Sequence, residues 1–152
     1  MSLLRSFKYA FLGIGRCFLY ERNMRIHLVL TLYALYISTY YDFTRIQYAV
    51  LCLVFALVFF AEMVNTAIEE LVDINSEGFD FKAKAAKDIA AGAVCVCAVF
   101  ALIVGFIFFL DVETIKVIFF DTLYHPIKLT GFLSSVVLAV LFIKFGIYKK
   151  KI

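Results

Sequence analysis

A row of acidic and amide side chains directly follows an apolar run near the middle of the chain: Glu62, Asn65, Glu69 and Asp73. If the run continues as a helix, a rotation of roughly 100° per residue places Glu69 and Asp73 within about 20° of Glu62, and Asn65 about 60° away. Glu70 falls about 80° away and is expected to be solvated. Carboxylates at the end of a membrane helix are expected to face a bundle interior or a cavity, because burying charge in lipid is costly. The spacing therefore predicts an interfacial acidic site.

The negative charge of this face requires compensation by a cation. Either a divalent metal ion or the basic residues Lys87, Arg22 and Arg25 could supply it. Lys87 and Asp88 open a later apolar run, where Asp88 could equally serve as a helix cap. The chain has no Walker-type phosphate loop, so phosphate chemistry does not follow from the spacing alone.

The composition restricts where such a site can lie. Hydrophobic residues make up 64% of the 152 residues, there is one proline, and the mean hydropathy is +0.96. Soluble domains average about 45–50% apolar residues, so a soluble globular fold and a disordered chain are both excluded. A membrane helix takes about 20 residues, which leaves no room for a separate soluble catalytic domain. Any chemistry must take place on the membrane helices or at their ends.

The elements that must position the acidic face are helices. Four apolar runs are expected to cross the membrane: 28–41, 46–61, 89–110 and 129–148. The second run is expected to continue as a helix through Glu62 to about residue 72. Ahead of them, apolar residues recur every three or four positions from Leu4 to Phe18, which predicts an amphipathic helix on the membrane surface. The predicted fold is an all-α integral membrane protein with this surface helix, a three-span core and a fourth transmembrane helix.

The basic residues predict an orientation. Most of the 15 Lys and Arg residues fall in the amino terminus, the loop 72–87 and the carboxyl terminus. By the positive-inside rule these three regions face the cytoplasm, which requires an even number of spans. Residues 1–110 are expected to form the core. Residues 111–152 are expected to form an external interfacial segment and the extra span, whose basic tail, Lys149 to Lys151, returns to the cytoplasm.

Four sequence motifs resemble those of the small bacterial lipid kinases, the prokaryotic diacylglycerol kinase and undecaprenol kinase family. They are ExxNTAIExxxD at 62–73, AKxAKDxAAGAV at 83–94, SFKYAFxGI at 6–14 and ERNxRIH at 21–27. The resemblance covers about residues 5 to 110. It implies an integral membrane enzyme of the bacterial inner membrane.

The resemblance also implies roles for individual residues. Glu62 matches the general base that takes the proton from the lipid hydroxyl, and Glu21 and Glu69 match the carboxylates that hold Mg²⁺ with ATP. The residues implied to surround the nucleotide are Tyr9 beside the adenine, Glu21, Asn65, Glu69, Asp73, Lys87 and Asp88.

The activity so implied is ATP-dependent phosphorylation of a membrane lipid alcohol, undecaprenol or otherwise diacylglycerol. The family works as a homotrimer with sites between subunits, and no nucleic acid is expected as a partner. The residues by themselves leave two readings of another class open, a proton or cation pathway and a non-enzymatic membrane subunit. The chain departs from the family at Asp80 and Phe81, where a His-Pro pair is expected, and in its extension beyond the third span.

Overall fold

Six α-helices account for most of residues 3–75 and 80–145, the part of the chain that the computed structural model describes. They are α1 (Leu3–Tyr20), α2 (Arg22–Ser38), α3 (Arg45–Asn75), α4 (Phe81–Phe109), α5 (Val112–Tyr124) and α6 (Pro126–Lys144). No strand occurs in these described residues. Three helices are long and apolar enough to cross a bilayer, over Arg45–Ile74, Phe81–Phe109 and Pro126–Lys144. The prediction of an all-α integral membrane protein is confirmed.

The first predicted span differs from the other three. It corresponds to α2, which begins at Arg22 and ends at Ser38. Its 17 residues cover about 26 Å at 1.5 Å per residue, against a hydrocarbon core of about 30 Å. The helix ends early because the next three amides, from Thr39 to Tyr41, each bond the carbonyl three residues back and tighten the chain into a turn. A crossing by α2 remains a prediction.

Contacts between the helix ends show how the bundle is arranged. The Tyr41 hydroxyl, just after α2, donates to the Phe109 carbonyl at the end of α4 at 2.7 Å. The ring of Phe43, just before α3, packs against the same region, 5.3 Å from the Phe109 ring. Midway along α2 and α6, the hydroxyls of Tyr33 and Ser135 hydrogen-bond at 2.9 Å. Helices α2, α3, α4 and α6 therefore run between the same two ends, named here the Tyr41 end and the Glu62 end.

One further helix lies at each end of the bundle. At the Glu62 end, α1 exposes its apolar stripe, including Phe7 and Phe11, and its Phe18 ring lies 5.8 Å from Phe59 of α3. An exposed apolar face beside a bundle end suits a helix lying in the membrane surface, as predicted. At the Tyr41 end, the segment predicted to be interfacial is α5. Asp111 is the N-cap of α5, and its side chain accepts a hydrogen bond from the Thr114 amide at 3.1 Å.

The boundary between α3 and α4 corrects one sequence interpretation. Helix α4 begins at Phe81 because the Asp80 side chain accepts a hydrogen bond from the Lys82 amide at 2.8 Å. Asp88 therefore lies inside α4 and does not cap it. The departure from the family at Asp80 and Phe81 has a local role, since Asp80 is the residue that starts this helix. The tail with Lys149 to Lys151 lies outside the described residues.

Candidate functional site

Glu62 is the most buried carboxylate of the predicted acidic face. It lies about 26 Å along α3 from Arg45 and is only 3% exposed. Its Oε1 atom lies 3.3 Å from Nε2 of His27 on α2. The approach is not along a hydrogen-bond direction, so within the described chain Oε1 has no hydrogen-bond partner. A buried carboxylate oxygen in this state is available to accept a proton from a ligand hydroxyl.

Asn65 and Glu69 continue the face one and two turns further along α3. The Asn65 amide nitrogen donates to Glu69 Oε1 at 2.8 Å, which confirms that these two side chains share one face. Asn65 is 8% exposed, and its Oδ1 accepts no hydrogen bond from any described residue. Glu69 is half-buried. The exposure of the carboxylates to water therefore increases along the acidic face, from the buried Glu62 to the half-buried Glu69.

Asp73 and Lys87 join α3 to α4 at the outer edge of the site. The Lys87 ammonium donates to the Asp73 carboxylate, and both side chains are partly exposed. Three basic residues were candidates for balancing the charge of the acidic face. Of these, Lys87 forms an ion pair with Asp73, the outermost acidic residue of that face. Asp88, the next residue, is exposed on α4.

Glu21 lies at the junction between α1 and α2, directly before the first residue of α2. Burial raises the pKa of the Cys17 thiol, and the nearby carboxylates of Glu21 and Glu62 raise it further. Two carboxylates far apart in sequence therefore influence one thiol. Arg25, one helical turn after Glu21, is 4% exposed and donates from Nη1 to the Leu19 carbonyl at 2.8 Å, while its Nε has no hydrogen-bond partner among the described residues.

Two observations differ from the nucleotide and metal site that the resemblance implies. Tyr9 is 57% exposed and lies about 12 Å along α1 from Cys17, outside the buried cluster. Within residues 3–75 and 80–145, no group of three or more His, Cys, Asp and Glu side chains is arranged to hold a metal ion. The donor chemistry of Glu21 and Glu69 nevertheless fits Mg²⁺, which binds one or two carboxylates and completes its shell with phosphates and water.

The contact that the sequence interpretation missed is His27 against Glu62. His27 closes the ERNxRIH motif, but spacing along one helix cannot reveal a partner on another. An available signal was chemical, because a histidine within an apolar run at membrane depth is costly without a polar partner.

Comparison with known proteins identifies the family to which this region of the chain belongs. The prokaryotic diacylglycerol kinase family matches residues 8–109. A diacylglycerol kinase of Synechocystis sp. is 40% identical over 105 residues, which cover 68% of this chain and 60% of that protein. An undecaprenol kinase of Bacillus subtilis is 38% identical over 106 residues, 70% of this chain and 86% of that protein. No solved structure matches.

The matched region contains α2, α3, α4 and most of α1, and it ends where α4 ends. It therefore includes Glu62, Asn65, Glu69 and the residues that surround them. The chain belongs to the prokaryotic diacylglycerol kinase family, and both of the relatives named above are lipid kinases.

Proposed function

We propose that this protein transfers the γ-phosphoryl group of ATP to the hydroxyl of a membrane lipid alcohol, with Glu62 as general base. The observation that carries the proposal is the buried Glu62 carboxylate, whose Oε1 accepts no hydrogen bond from the described chain. The chemistry is balanced with this one base. Glu62 takes the hydroxyl proton, the lipid oxygen bonds to the γ-phosphorus, and the bond to the bridging oxygen breaks to release ADP.

Magnesium would be held by Glu21 and Glu69 together with the phosphates of ATP. When bound, it neutralises charge on the phosphates during transfer. Asn65, Asp73, Lys87 and Asp88 would line the nucleotide, and Tyr9 would lie beside the adenine. Lys87 already lies at the open edge of the acidic face, where a phosphate can approach from water. In binding ATP, it would exchange part of its contact with Asp73 for a phosphate oxygen.

The acceptor proposed is undecaprenol, with diacylglycerol as the alternative. Each is supported by the name of one relative of similar identity. The site proposed lies in the bacterial inner membrane, with both ends of the chain in the cytoplasm. A homotrimer is proposed for the assembly, and many large apolar side chains on α4, such as Phe100 and Ile107, are exposed on the single chain and would face lipid or a second copy.

Phosphorylation by the purified full chain in detergent micelles tests this function. We expect label from γ-labelled ATP to appear in a lipid alcohol, with undecaprenol preferred when the two alcohols compete, and to disappear when EDTA removes Mg²⁺. Label in neither alcohol would contradict the lipid kinase proposal. Activity that survives EDTA would contradict the proposed metal site. Cation flux across protein-containing vesicles without phosphorylation would support a cation pathway instead.

A further inference from the structure

A large apolar cavity opens along the inside of the bundle, and no motif in the sequence accounts for it. Its volume is about 940 Å³, and its lining comes from α2, α3, α4, α5 and α6. Along α2 it extends from His27 to Ile37, about 15 Å, and it continues to Tyr41. An apolar cavity of roughly 150 Å³ already holds a molecule of benzene, so this one has room for a considerably longer hydrocarbon.

The lining excludes charged occupants. It contains no Asp, Glu, Lys or Arg side chain, and His27 is its one ionisable member other than tyrosines. Its other polar atoms are mainly hydroxyls of tyrosines and threonines, such as Tyr33 and Thr122. Desolvating a phosphate or a metal ion in such a space would cost several kcal/mol or more without compensation. A hydrocarbon chain is the ligand that this chemistry accepts.

The cavity adjoins the proposed catalytic site through His27. His27 lines it and lies 3.3 Å from Glu62 Oε1. On α3 the lining includes Leu51 and Val58, both buried. Val58 precedes Glu62 by four residues, one helical turn, so the two side chains lie on the same face. A lipid with its hydroxyl at Glu62 would therefore have its chain directed along α3 toward the Tyr41 end.

The extension beyond the family match forms part of this lining. Phe119 and Leu123 on α5 line the cavity together with Leu129 and Phe132 on α6. Helices α5 and α6 form a hairpin, and hydrogen bonds hold it in place on both helices. The Tyr33 hydroxyl contacts Ser135, and the Asp121 carboxylate accepts a hydrogen bond from the Tyr40 hydroxyl at 3.2 Å.

We infer that this cavity binds the hydrocarbon chain of the lipid alcohol and that α5 and α6 form the wall that selects chains by size and shape. The inference rests on the proposed function and names the chain-binding part of the same site. The carboxyl-terminal extension is then a specificity element of the enzyme.

Filling the cavity tests the inference. Gly105 lines it, and a Cβ added there meets no atom within 4 Å, so Gly105→Phe should project into the space without a backbone clash. Gly131→Phe on α6 is the matched control, because that position is equally open and does not line the cavity. For Gly105→Phe, we expect the ratio of kcat/KM for a long-chain alcohol to that for a short-chain alcohol to fall at least ~10-fold, mainly through KM. Gly131→Phe should leave the ratio as in the wild type.

A second measurement detects binding of the hydrocarbon chain in the cavity independently of catalysis. A long-chain alcohol carrying a photoreactive diazirine at its chain terminus should label peptides from α5 in the wild type, and Gly105→Phe should abolish that labelling. Labelling of α5 that Gly105→Phe leaves intact would overturn the inference. If a second copy of the chain fills the cavity instead, Gly105→Phe should dissociate the oligomer and reduce turnover of both alcohols equally, which would also overturn it.

These outcomes separate the two proposals. A wild-type protein that phosphorylates neither alcohol but still shows α5 labelling sensitive to Gly105→Phe would refute the kinase function and leave the chain site standing. A wild-type protein that phosphorylates both alcohols, with the same chain-length ratio in Gly105→Phe, would keep the kinase function and refute the chain site.

Discussion

The two ends of the bundle differ in whether their polar side chains have hydrogen-bond partners within the described chain. At the Glu62 end, three buried polar atoms have no hydrogen-bond partner among the described residues: Arg25 Nε, Glu62 Oε1 and Asn65 Oδ1. At the Tyr41 end, the Tyr41 hydroxyl bonds a carbonyl of α4, and Asp121 accepts hydrogen bonds from both Tyr40 and Lys128. An unsatisfied buried polar group costs about 1–3 kcal/mol, so further partners are expected for these three atoms.

This contrast assigns different tasks to the two ends. Paired polar groups and stacked aromatic rings at the Tyr41 end fix the helices relative to one another. The Glu62 end retains polar atoms that a ligand, a metal ion, a water molecule or a second copy of the chain would satisfy, as expected where a protein binds and transforms a substrate.

The largest expected contrast is in accessibility from outside the cell. In a cysteine-free background, a single cysteine from Glu113→Cys on α5 should react with an impermeant thiol reagent in intact cells, because the Tyr41 end is expected to be external. A cysteine from Lys84→Cys at the Glu62 end should react only after permeabilisation. Equal reaction of both positions in intact cells would contradict the four-span topology.

The next effect is on catalysis. Glu62→Gln keeps the size of the side chain and removes the base, so phosphorylation should fall by at least ~10²-fold, while assembly and ATP binding change little. Glu70→Gln on the exposed side of α3 is the control and should retain activity. Turnover of the lipid alcohol and size-exclusion profiles measure the two properties. If Glu62→Gln fails to assemble, its role is structural and the assignment as base is wrong.

A smaller effect is expected on nucleotide binding. Glu21→Ala and Glu69→Ala should each weaken Mg²⁺-dependent ATP binding by roughly tenfold or more, as the loss of one charged contact of about 1.5–3 kcal/mol implies. Glu113→Ala at the opposite end should not alter it. Titration of the nucleotide with and without Mg²⁺ provides the measurement. Variants that bind ATP as tightly as the wild type would exclude these two carboxylates as metal ligands.

The smallest effect concerns stability at the Tyr41 end. The hydrogen bond from Lys128, above all, holds the pKa of the Asp121 carboxyl below its usual range, and Tyr40 and His125 contribute. Because the pKa is lowered on folding, the stabilisation is present above the unfolded pKa of about 3.9 and is lost as pH falls through the folded pKa. Asp121→Asn should therefore lower Tm at pH 7, and its difference from the wild type should vanish in acid.

Glu113→Gln is the control for that measurement, because the Glu113 pair with Lys116 is within one helix and largely exposed. Its effect on Tm should be smaller than that of Asp121→Asn. A Tm difference for Asp121→Asn that persists at all pH values would show that the carboxylate charge is not what fixes α5 and α6.

Much of the helical structure could be predicted from the sequence because it depends on residues that are close together in the chain. Helix α3 follows from an apolar run that continues into an acidic face, and the hydrogen bond between Asn65 and Glu69 spans one turn. The third predicted run begins at residue 89, whereas α4 begins at Phe81, because the side chain of Asp80 caps the helix there. The end of α2 at Ser38 was also missed, because the apolar pattern continues through the turn that stops the helix.

The sequence by itself determined the membrane environment, the helices and the shared face of Glu62, Asn65 and Glu69, because hydrophobicity and a helical period of 3.6 residues act between near neighbours. Only the tertiary structure decided which helices meet. It placed His27 of α2 against Glu62, kept Tyr9 outside the buried cluster, and left an apolar cavity bounded in part by α5 and α6. These features depend on how helices pack across long separations in the chain, which the periodicity of a single helix does not specify.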